Sequence, residues 1–441
     1  MTPIIVLFIT LIGILSGKII FRFWINHLTV YSFVMGGLIF LYEIKLLPYP
    51  DLSFTTWFFL FVSTLAFIFG ILTILSANAL NNETTHTERV RVSILDMPIF
   101  ADGGRILRYS AIFFSLVGLF VALHRWYIMI NIFGSVPSVF LNAAWVYRIN
   151  VKGEIKEFIP ILPSFVYVGV FLSAIYTAYK GKFSFLSFFP IFCIILKELT
   201  YFGRGEMLFA TFEFFFTFFL MRNILNQETN VPFKFSRKTA LISIILLLAL
   251  VIAAASIVRT SRGIKENFRG ASQELRQLEE NMILTPSVYF YLSSDLGVLN
   301  QYLFYDNENA KFGENTFRGV YYLLSKLKIV EEPEFFQKGY FIPMWSNTGT
   351  YLREIHADFG ISGVIIVPFL LGLLCSWLWF KFIQQKSLFS LVILVYLYIV
   401  LAFSFLVVVT RLNQWFLSQA LILLFIPLLN RIAKRSSLKS T

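Results

Sequence analysis

Residues 346–360, SNTGTYLREIHADFG, run without a break into the apolar residues 361–372, ISGVIIVPFLLG. The apolar residues belong to a segment, 360–382, that is long enough to cross a bilayer, because about 20 apolar residues span the hydrocarbon core. A polar stretch that passes directly into such a segment predicts a membrane helix whose polar end lies at the water–lipid boundary. The expected fold is therefore a membrane bundle with a polar site at one surface.

The polar stretch collects four ionisable side chains within six positions, namely Arg353, Glu354, His356 and Asp358. It also closes the one long hydrophilic segment of the sequence, about residues 259–357. Ionisable groups are unfavourable near hydrocarbon and usually serve a function there. We therefore expect chemistry to take place at this boundary.

The composition places most of the chain in lipid. Of the 441 residues, 57% are hydrophobic and 14% are charged, and the mean hydropathy is +0.74. A soluble domain of this size could not bury so much apolar surface. The pattern predicts an all-α integral membrane protein with about eleven transmembrane helices. The apolar stretches of spanning length are 3–20, 28–45, 54–78, 109–131, 158–178, 183–200, 206–222, 239–258, 360–382, 387–409 and 412–430.

The Lys and Arg residues near the span ends predict the orientation. If the N-terminus is outside, the inner segments carry eighteen of them and the short outer segments carry eight. The C-terminus is then inside, and residues 259–357 form a long, partly helical loop on the outer face. The net charge of +12 is explained by this cytoplasmic anchoring, so nucleic acid is not an expected partner.

The chain divides accordingly into three parts in sequence order. Residues 1–258 hold the first eight helices, residues 259–357 form the loop, and residues 358–441 hold the last three helices and a basic tail. The first apolar run has no basic residues before it and no small-residue cleavage site after it. It is therefore expected to remain as the first membrane helix.

Five cations follow the eighth predicted span at helical spacing: Arg259, Arg262, Lys265, Arg269 and Arg276. On a continuous helix they share one face. Such a stripe on the outer side suits phosphate groups, which Arg binds with two parallel hydrogen bonds. It also suits a solvated helix face that extends its side chains toward lipid headgroups. Arg259 and Arg262 are the stronger phosphate-binding candidates, because they lie nearest the bilayer.

A short outer turn, residues 201–206 (YFGRGE), places Arg204 between two glycines. Glycine allows a close approach of the backbone to a ligand, and Arg supplies positive charge. The alternative is a tight interhelical turn with an incidental cation. Glu213 lies two turns further along the same helix, where a carboxylate needs a partner or a function. Lys197 is the expected partner, and a structural pair is favoured over catalysis.

His356 is the best-placed histidine for a general base. If its segment is helical, Arg353 lies beside it and favours the neutral imidazole, while Glu354 and Asp358 share a face. If the segment is extended, Glu354, His356 and Asp358 alternate onto one side and resemble a metal site. A structural histidine satisfied by its neighbours is the third interpretation. No metal is expected, because one histidine with two carboxylates is a weak pattern.

Aromatic residues are frequent in the loop, and four lie far from the predicted spans: Tyr302, Tyr305, Tyr321 and Tyr322. Such rings can stack on the apolar faces of sugars, although tyrosines also populate any membrane interface. Nucleotide-binding, zinc-binding and nucleophile-elbow motifs are absent from the sequence, so no cofactor is expected.

Several segments together resemble the Wzy-type oligosaccharide repeat-unit polymerases, which build O-antigen and related surface polysaccharides. They are FGRGEMLFA (202–210), FGENTFRG (312–319) and NTGTYLREIHADFG (347–360) with the apolar run that follows. The long outer loop near the C-terminal third is similar as well. The topology is similar over most of the chain, whereas local motifs are recognisable only in about residues 200–215 and 286–380.

The resemblance implies a metal-independent glycosyltransferase with a GT-C-like fold in the bacterial inner membrane, active on its periplasmic face. The growing chain on undecaprenyl pyrophosphate would be the donor, and the non-reducing end of a lipid-linked repeat unit the acceptor. A protein that regulates chain length would be a further partner. The nearest rival is an O-antigen ligase, related to these polymerases. A transporter or flippase of lipid-linked sugars is an alternative of another class.

The resemblance also implies roles for the residues singled out above. Arg204, Arg259 and Arg262 would hold the leaving pyrophosphate. His356, or Asp358 beside it, would remove the proton from the attacking hydroxyl. Arg353 would either orient this base or bind phosphate as well.

Overall fold

The structure is a computed structural model in which nearly all regular structure is helical. It describes residues 2–84, 93–151, 153–155, 159–229, 270–281, 284–305, 311–334 and 337–438. The first nine helices are α1 Thr2–Phe21, α2 His27–Glu43, α3 Phe54–Thr84, α4 Ala101–Phe133, α5 Val136–Leu141, α6 Ala143–Val151, α7 Leu162–Lys180, α8 Phe185–Glu198 and α9 Gly205–Thr229. The later elements are α10 Gln273–Glu280, α11 Pro286–Ser293, α12 Asp295–Tyr305, α13 Arg318–Lys326, strands β1 Tyr340–Ile342 and β2 Met344–Ser346, α14 Tyr351–Gln385, α15 Leu388–Ala402 and α16 Asn413–Leu438.

The helices match the apolar pattern of the sequence. Ten of the eleven predicted spans coincide with helices, and the eighth, 239–258, lies outside the described residues. Within the described ranges, seven helices are long and apolar enough to cross a membrane. The class of multi-pass, all-α membrane protein is therefore confirmed. The number of crossings and their orientation stay predictions.

One predicted span is too long. The segment 387–409 was expected to be helical throughout, but α15 ends at Ala402 and a short 3₁₀ turn follows at Val409–Arg411. The backbone leaves the helix because it contacts the start of α14. The Ser404 carbonyl accepts a hydrogen bond from the Tyr351 amide, and the Val408 amide donates to Glu354.

The described residues form two compact units, while the division into three parts along the chain stays a prediction. The first comprises Met1–Arg89, Lys265–Phe380 and Leu397–Asn413, and the second comprises Val90–Ile264, Lys381–Tyr396 and Gln414–Thr441. The first unit therefore combines α1–α3 with the described loop residues and most of α14. It contains the whole polar boundary from which the sequence prediction started.

Two glycines bring α3 and α14 into backbone contact in the first unit. A Cβ atom at Gly70 would lie 2.1 Å from the Phe369 carbonyl oxygen, and one at Gly372 would lie 2.1 Å from the Phe67 oxygen. Small residues allow such close packing of membrane helices. This contact fixes the apolar part of α14 against α3.

A third glycine separates the polar and apolar parts of α14. Gly360 has φ +64° and ψ −155°, a conformation that interrupts the helix and that only glycine adopts readily. The interruption coincides with the end of the polar stretch predicted from sequence. Residues 351–359 thus form a separate helical head on the apolar helix.

The loop helices of the first unit hold the connection between α2 and α3. The hydroxyl groups of Tyr49 and Ser293 form a hydrogen bond of 2.8 Å. The Tyr289 hydroxyl accepts a hydrogen bond from the Leu46 amide at 3.1 Å. Asn300 accepts hydrogen bonds from the Ser53 amide and the Thr56 hydroxyl through its Oδ1, at 2.8 and 2.7 Å. The described part of the loop is therefore packed onto the helices, as a continuation of their core.

The second unit is a bundle of α4, α7, α8, α9 and most of α16. Helices α4 and α7 pack closely at Gly169, where an added Cβ would lie 3.1 Å from the Ser115 amide nitrogen. Fourteen of the 19 residues of α7 are buried, so this helix forms the centre of the unit. Phe114, Phe165 and Phe425 continue the core with ring centroids 4.8–5.9 Å apart.

Candidate functional site

The helical head of α14 places its four ionisable side chains in different surroundings. Arg353, Glu354 and Asp358 are buried, whereas His356 is only partly buried. The helical interpretation of this stretch is therefore correct, and the extended one is wrong. Each side chain now has contacts that indicate what it can do.

His356 lies between two aromatic side chains. Its Nδ1 atom is 2.7 Å from the hydroxyl oxygen of Tyr302, which is 1% exposed. The ring also contacts Phe59 of α3, with centroids 5.1 Å apart. These contacts fix the plane of the imidazole and the direction of its Nδ1 atom.

The contact with Tyr302 determines the available chemistry of His356. When Nδ1 carries the proton and donates it to the Tyr302 oxygen, Nε2 has a lone pair and can accept a proton from a substrate hydroxyl. When the Tyr302 hydroxyl donates to Nδ1, Nε2 carries the proton and is a donor. The arrangement can therefore support general base catalysis in one tautomer.

Arg353 is fully buried beside this pair. Its guanidinium donates to the Asn347 carbonyl at 3.0 Å and to the Lys338 carbonyl, and it lies 5.3 and 5.8 Å from the rings of Tyr340 and Tyr302. A guanidinium engaged in this way fixes the segments around it. The contact with the Tyr302 ring is the one through which Arg353 could influence His356, and both roles expected for Arg353 stay predictions.

Glu354 forms a buried ion pair with Arg411, which follows α15. Arg411 Nη1 lies 2.8 Å from Glu354 Oε1, and Gln337 Nε2 donates to the same oxygen at 2.7 Å. The Val408 amide donates to the other oxygen. Because the carboxylate has partners on both oxygens, Glu354 holds the segment that contains Val408 and Arg411 against the head of α14.

Asp358 anchors the FGENTFRG stretch. Its Oδ1 accepts hydrogen bonds from the amide and the side chain of Asn315, both at 2.9 Å, and its Oδ2 accepts two from the amide and hydroxyl of Thr316, both at 2.7 Å. The carboxylate is 4% exposed, and both of its oxygens already accept two hydrogen bonds from the protein. Between the two bases that the sequence left open, the geometry therefore favours His356.

Asp295, the first residue of α12, is a functional candidate that sequence reasoning missed. It is 0% exposed, and within the described residues neither of its carboxyl oxygens has a hydrogen-bond partner. Burial raises the pKa of the Asp295 carboxyl well above its ordinary value, although the Thr348 hydroxyl and the Arg353 guanidinium oppose this shift. No sequence pattern marks Asp295, because its surroundings come from distant segments.

Arg318 and Arg411 approach one another, which the sequence also did not predict. Arg318 Nε and Arg411 Nη2 both donate to the Glu334 carbonyl oxygen, at 3.4 and 3.2 Å. Burial lowers the pKa of the Arg318 guanidinium, and the positive charge of the nearby Arg411 lowers it further. Two cations therefore share one backbone carbonyl, and one of them, Arg411, also contacts the Glu354 carboxylate.

The four tyrosines proposed for sugar stacking are in different environments. Tyr302 is buried and contacts His356, so its ring does not face solvent and cannot stack on a sugar in this arrangement. Tyr305 is 56% exposed and stacks on Tyr340, while Tyr321 and Tyr322 are partly exposed on α13. Tyr305, Tyr321 and Tyr322 stay candidates for contact with a sugar.

The predicted cationic stripe is only partly described. Arg259, Arg262 and two of the other members lie outside the described residues. Arg276 belongs to α10, which begins at Gln273 after the Ser272 cap and after Gly270 at φ +81°. The expectation that Arg276 continues the eighth helix is therefore wrong, because the turn at Gly270 starts a new one.

In the second unit, Arg204 is partly exposed in the turn that joins α8 to α9. The two adjacent glycines are used by internal packing. A Cβ at Gly203 would lie 2.5 Å from a Glu198 carboxylate oxygen, and one at Gly205 would lie 3.3 Å from the Trp415 ring. The glycines thus explain the tight turn. Binding of phosphate by Arg204 stays a prediction.

Lys197 and Glu206 form a polar cluster below this turn. Their side chains lie 2.5 Å apart, and the Tyr167 hydroxyl donates to the same Glu206 oxygen at 2.8 Å. The predicted pairing of Lys197 with Glu213 is therefore replaced by one with Glu206, which lies two helical turns nearer to the turn. Glu213 instead accepts a hydrogen bond from Gln419 at 3.0 Å.

Among the described residues, no group of three or more His, Cys, Asp or Glu side chains is arranged to hold a metal ion. The chain matches no protein-family model, no curated protein and no solved structure.

Proposed function

We propose that this protein is a membrane glycosyltransferase that polymerises lipid-linked oligosaccharide repeat units. The growing chain would move from its polyprenyl pyrophosphate carrier to the non-reducing end of one lipid-linked unit. The protein would lie in a bacterial inner membrane with this site on the outer face. The observation that carries the proposal is the histidine head of α14, where His356 contacts Tyr302 directly before an apolar membrane helix.

His356 supports the proposal through its place in the helix. It lies one helical turn before Gly360, where the polar head gives way to the apolar helix. An acceptor attached to a lipid carries its sugars close to this boundary, where an imidazole can accept the proton of the attacking hydroxyl. Arg353 and Tyr302 would then act as positioning residues for the imidazole.

The leaving group would require cations. Arg204, Arg259 and Arg262 are proposed to hold the pyrophosphate as its charge develops in the transition state. This part of the proposal rests on the sequence for Arg259 and Arg262, and on partial exposure in the α8–α9 turn for Arg204. The bond between the sugar and the pyrophosphate breaks as the bond to the acceptor oxygen forms, so the donor is already activated and transfer needs no nucleotide. Cationic side chains are proposed to balance the charge of the leaving pyrophosphate in place of a metal ion.

Deletion of the gene, followed by gel analysis of the surface polysaccharide, tests the proposal. Loss of a polymerase leaves chains capped with a single repeat unit. Loss of a ligase removes the repeat units from the core altogether, and an unchanged ladder refutes both activities. This outcome separates the polymerase from its nearest rival by the product alone.

Point variants test the residues. His356→Gln and Arg204→Ala should abolish long chains without loss of protein from the membrane. For His356→Gln, the rate of chain extension should fall roughly 10²–10⁴-fold, as expected for loss of a general base. The matched control for the histidine is His124→Gln, since His124 lies on α4 in the other unit. Long chains from His356→Gln would refute its role as the base.

A transporter of lipid-linked sugars is a second candidate, and one observation favours it. Glu213 is 0% exposed within a helix of spanning length, and within the described ranges its Oε2 has no hydrogen-bond partner. Such a carboxyl in a membrane helix is typical of proton-coupled transport. Movement of a fluorescent lipid-linked sugar across proteoliposomes, lost in Glu213→Gln, would support this function instead.

A further inference from the structure

An open crevice lies between the first three helices of the first unit. Its volume is about 290 Å³, and its lining is mostly apolar, with Val6, Ile9, Met35, Trp57 and Phe61 among the contributing residues. Ligand pockets usually measure about 300–1,000 Å³. The crevice is therefore large enough for a segment of a hydrocarbon chain and too small for a whole lipid.

The crevice lies toward the end of the bundle that carries the loop helices. Its lining comes from the early turns of α1, the middle turns of α2 and the first three turns of α3. Helices α2 and α3 adjoin the connection 44–53, to which α11 and α12 are bound through Tyr289 and Asn300. A chain in the crevice would therefore lie in the half of the membrane nearest the polar site.

The edges of the crevice face the surroundings of the helices. Ile9 and Phe61 both line it and are each 62% exposed. In a helix bundle of this composition, such apolar surface contacts lipid. A ligand would thus enter sideways from the bilayer, and an apolar chain is the chemistry that fits.

The wall of the crevice is connected to the head of α14. Tyr31 lines the crevice and joins its hydroxyl to that of Tyr351 at 3.1 Å. Tyr351 is the first residue of α14 and lies five positions before His356. Thr64, another lining residue, lies close to the Tyr31 hydroxyl. The crevice and the catalytic head therefore share one hydroxyl cluster.

We propose that this crevice binds the part of the polyprenyl chain nearest the pyrophosphate of the lipid-linked donor. This inference rests on the proposed function, which requires a polyprenyl chain in the membrane while its pyrophosphate lies at the boundary. Binding energy would come from close packing of the chain against α1, α2 and α3, because the bilayer supplies no hydrophobic driving force. The bound chain brings the donor to the end of the bundle where His356 lies.

Photolabelling tests this assignment directly. The purified full-length protein is placed in nanodiscs of phosphatidylcholine and phosphatidylglycerol with a polyprenyl phosphate that carries a diazirine close to its phosphate. After irradiation, mass spectrometry is expected to locate the label on lining residues of α1, α2 and α3. An excess of unlabelled polyprenyl phosphate should remove this label, whereas the same excess of phosphatidylcholine should not.

A matched pair of variants tests the crevice itself. Thr64 and Thr73 both lie on α3 and both donate a hydroxyl hydrogen bond to the carbonyl four residues earlier, but only Thr64 lines the crevice. Thr64→Phe should weaken labelling at least about tenfold, equivalent to 1.4 kcal/mol of binding. Thr73→Phe should label like the native protein. Ile39→Phe fills the crevice from α2 and provides a second test if Thr64→Phe does not fold.

Two results would overturn the assignment. One is labelling spread equally over the exposed faces of the helices, or removed equally by phosphatidylcholine, since the crevice would then hold bulk lipid only. The other is full labelling in folded Thr64→Phe and Ile39→Phe. Labelling does not depend on turnover, so the two proposals can fail separately. Specific labelling of the crevice together with an unchanged polysaccharide ladder after gene deletion would reject the proposed polymerase function and retain the binding site for the polyprenyl chain.

Discussion

The Tyr302 hydroxyl lies 2.7 Å from the Nδ1 atom of His356, and the two residues come from different helices, α12 and α14. A buried hydroxyl in this position can accept a proton from Nδ1 or donate one to it, so it forms a hydrogen bond with either neutral tautomer of the imidazole. The loop helix α12 therefore contributes directly to the state of the proposed base. It does so from a position 54 residues away in sequence.

Removal of this hydroxyl should impair catalysis while the fold is retained. For Tyr302→Phe we expect a decrease of up to about tenfold in the rate of chain extension, since a typical hydrogen bond contributes about 0.5–1.5 kcal/mol. The pH dependence of the rate should shift as well, because the contact influences protonation of His356. Rates of repeat-unit polymerisation in proteoliposomes provide the measurement.

The control for this change is Tyr305→Phe, on the same helix but 56% exposed. It should retain the native rate, or affect only the affinity for the sugar if its ring contacts the acceptor. Equal rates and equal pH profiles for Tyr302→Phe and the native protein would show that the contact does not tune His356.

A second prediction separates the two roles considered for Asp358. Asp358→Asn replaces one acceptor oxygen with a donor that faces the donors of Asn315 or Thr316. We expect a loss of about 3 kcal/mol in stability, as hydrogen bonds to a charged group contribute about 1.5–3 kcal/mol each. Thermal unfolding in detergent and proteolysis within residues 311–317 measure the effect. A variant with native stability and no activity would instead identify Asp358 as the base.

The sequence was sufficient to predict the membrane class and the place where the polar stretch ends, whereas it left open whether that stretch is helical or extended. Apolar runs of spanning length are a local signal, and Gly360 lies where the polar stretch meets the apolar one. Such features depend on consecutive residues, so they can be predicted without a structure. The break at Gly270, which separates Arg276 from the stripe, was missed because helical spacing continues across it.

The partners within the site could not be predicted in the same way. Glu354 pairs with Arg411, 57 residues later, and Asp358 binds Asn315, 43 residues earlier. Contacts of this separation depend on how loops pack, and loop packing leaves no periodic pattern. Lys197 illustrates the error that results. Glu213 was expected to pair with it because that carboxylate lies deep in the helix, but Lys197 pairs with Glu206 instead.

The ion pair of Glu354 and Arg411 should be essential for folding of the loop. Glu354→Gln leaves the Arg411 charge buried without its carboxylate, and the loss of one partner from a buried pair costs about 3–5 kcal/mol. We expect a correspondingly lower thermal midpoint in detergent. Glu331→Gln is the control, because the Glu331–Lys311 pair is exposed and such surface pairs contribute little to stability. Similar midpoints for both variants would mean that the buried pair is not needed.

The stability of the protein should depend on pH through Asp295. Burial raises the pKa of this carboxyl in the folded protein, whereas in the unfolded chain it titrates near its ordinary value of about 3.9. Above that pH the unfolded chain releases a proton that the folded protein keeps. Stability therefore falls as the pH rises, until the pH passes the pKa of the folded state.

Asn cannot ionise, so Asp295→Asn removes the pH-dependent loss of stability that arises when the Asp295 carboxyl ionises in the unfolded chain. The difference in stability between the variant and the native protein should therefore grow with pH. Relative to the native protein, the variant should gain about 1.4 kcal/mol per pH unit where the carboxyl is neutral when folded and ionised when unfolded. Thermal midpoints in detergent at pH 5, 6 and 7 measure this slope. Asp51→Asn serves as the control because Asp51 lies on the surface, where its contact with Lys45 lowers its pKa and contributes little to stability. Parallel pH profiles for Asp295→Asn and the native protein would mean that Asp295 is ionised in the folded state, with Arg353 as the nearest cation to balance it.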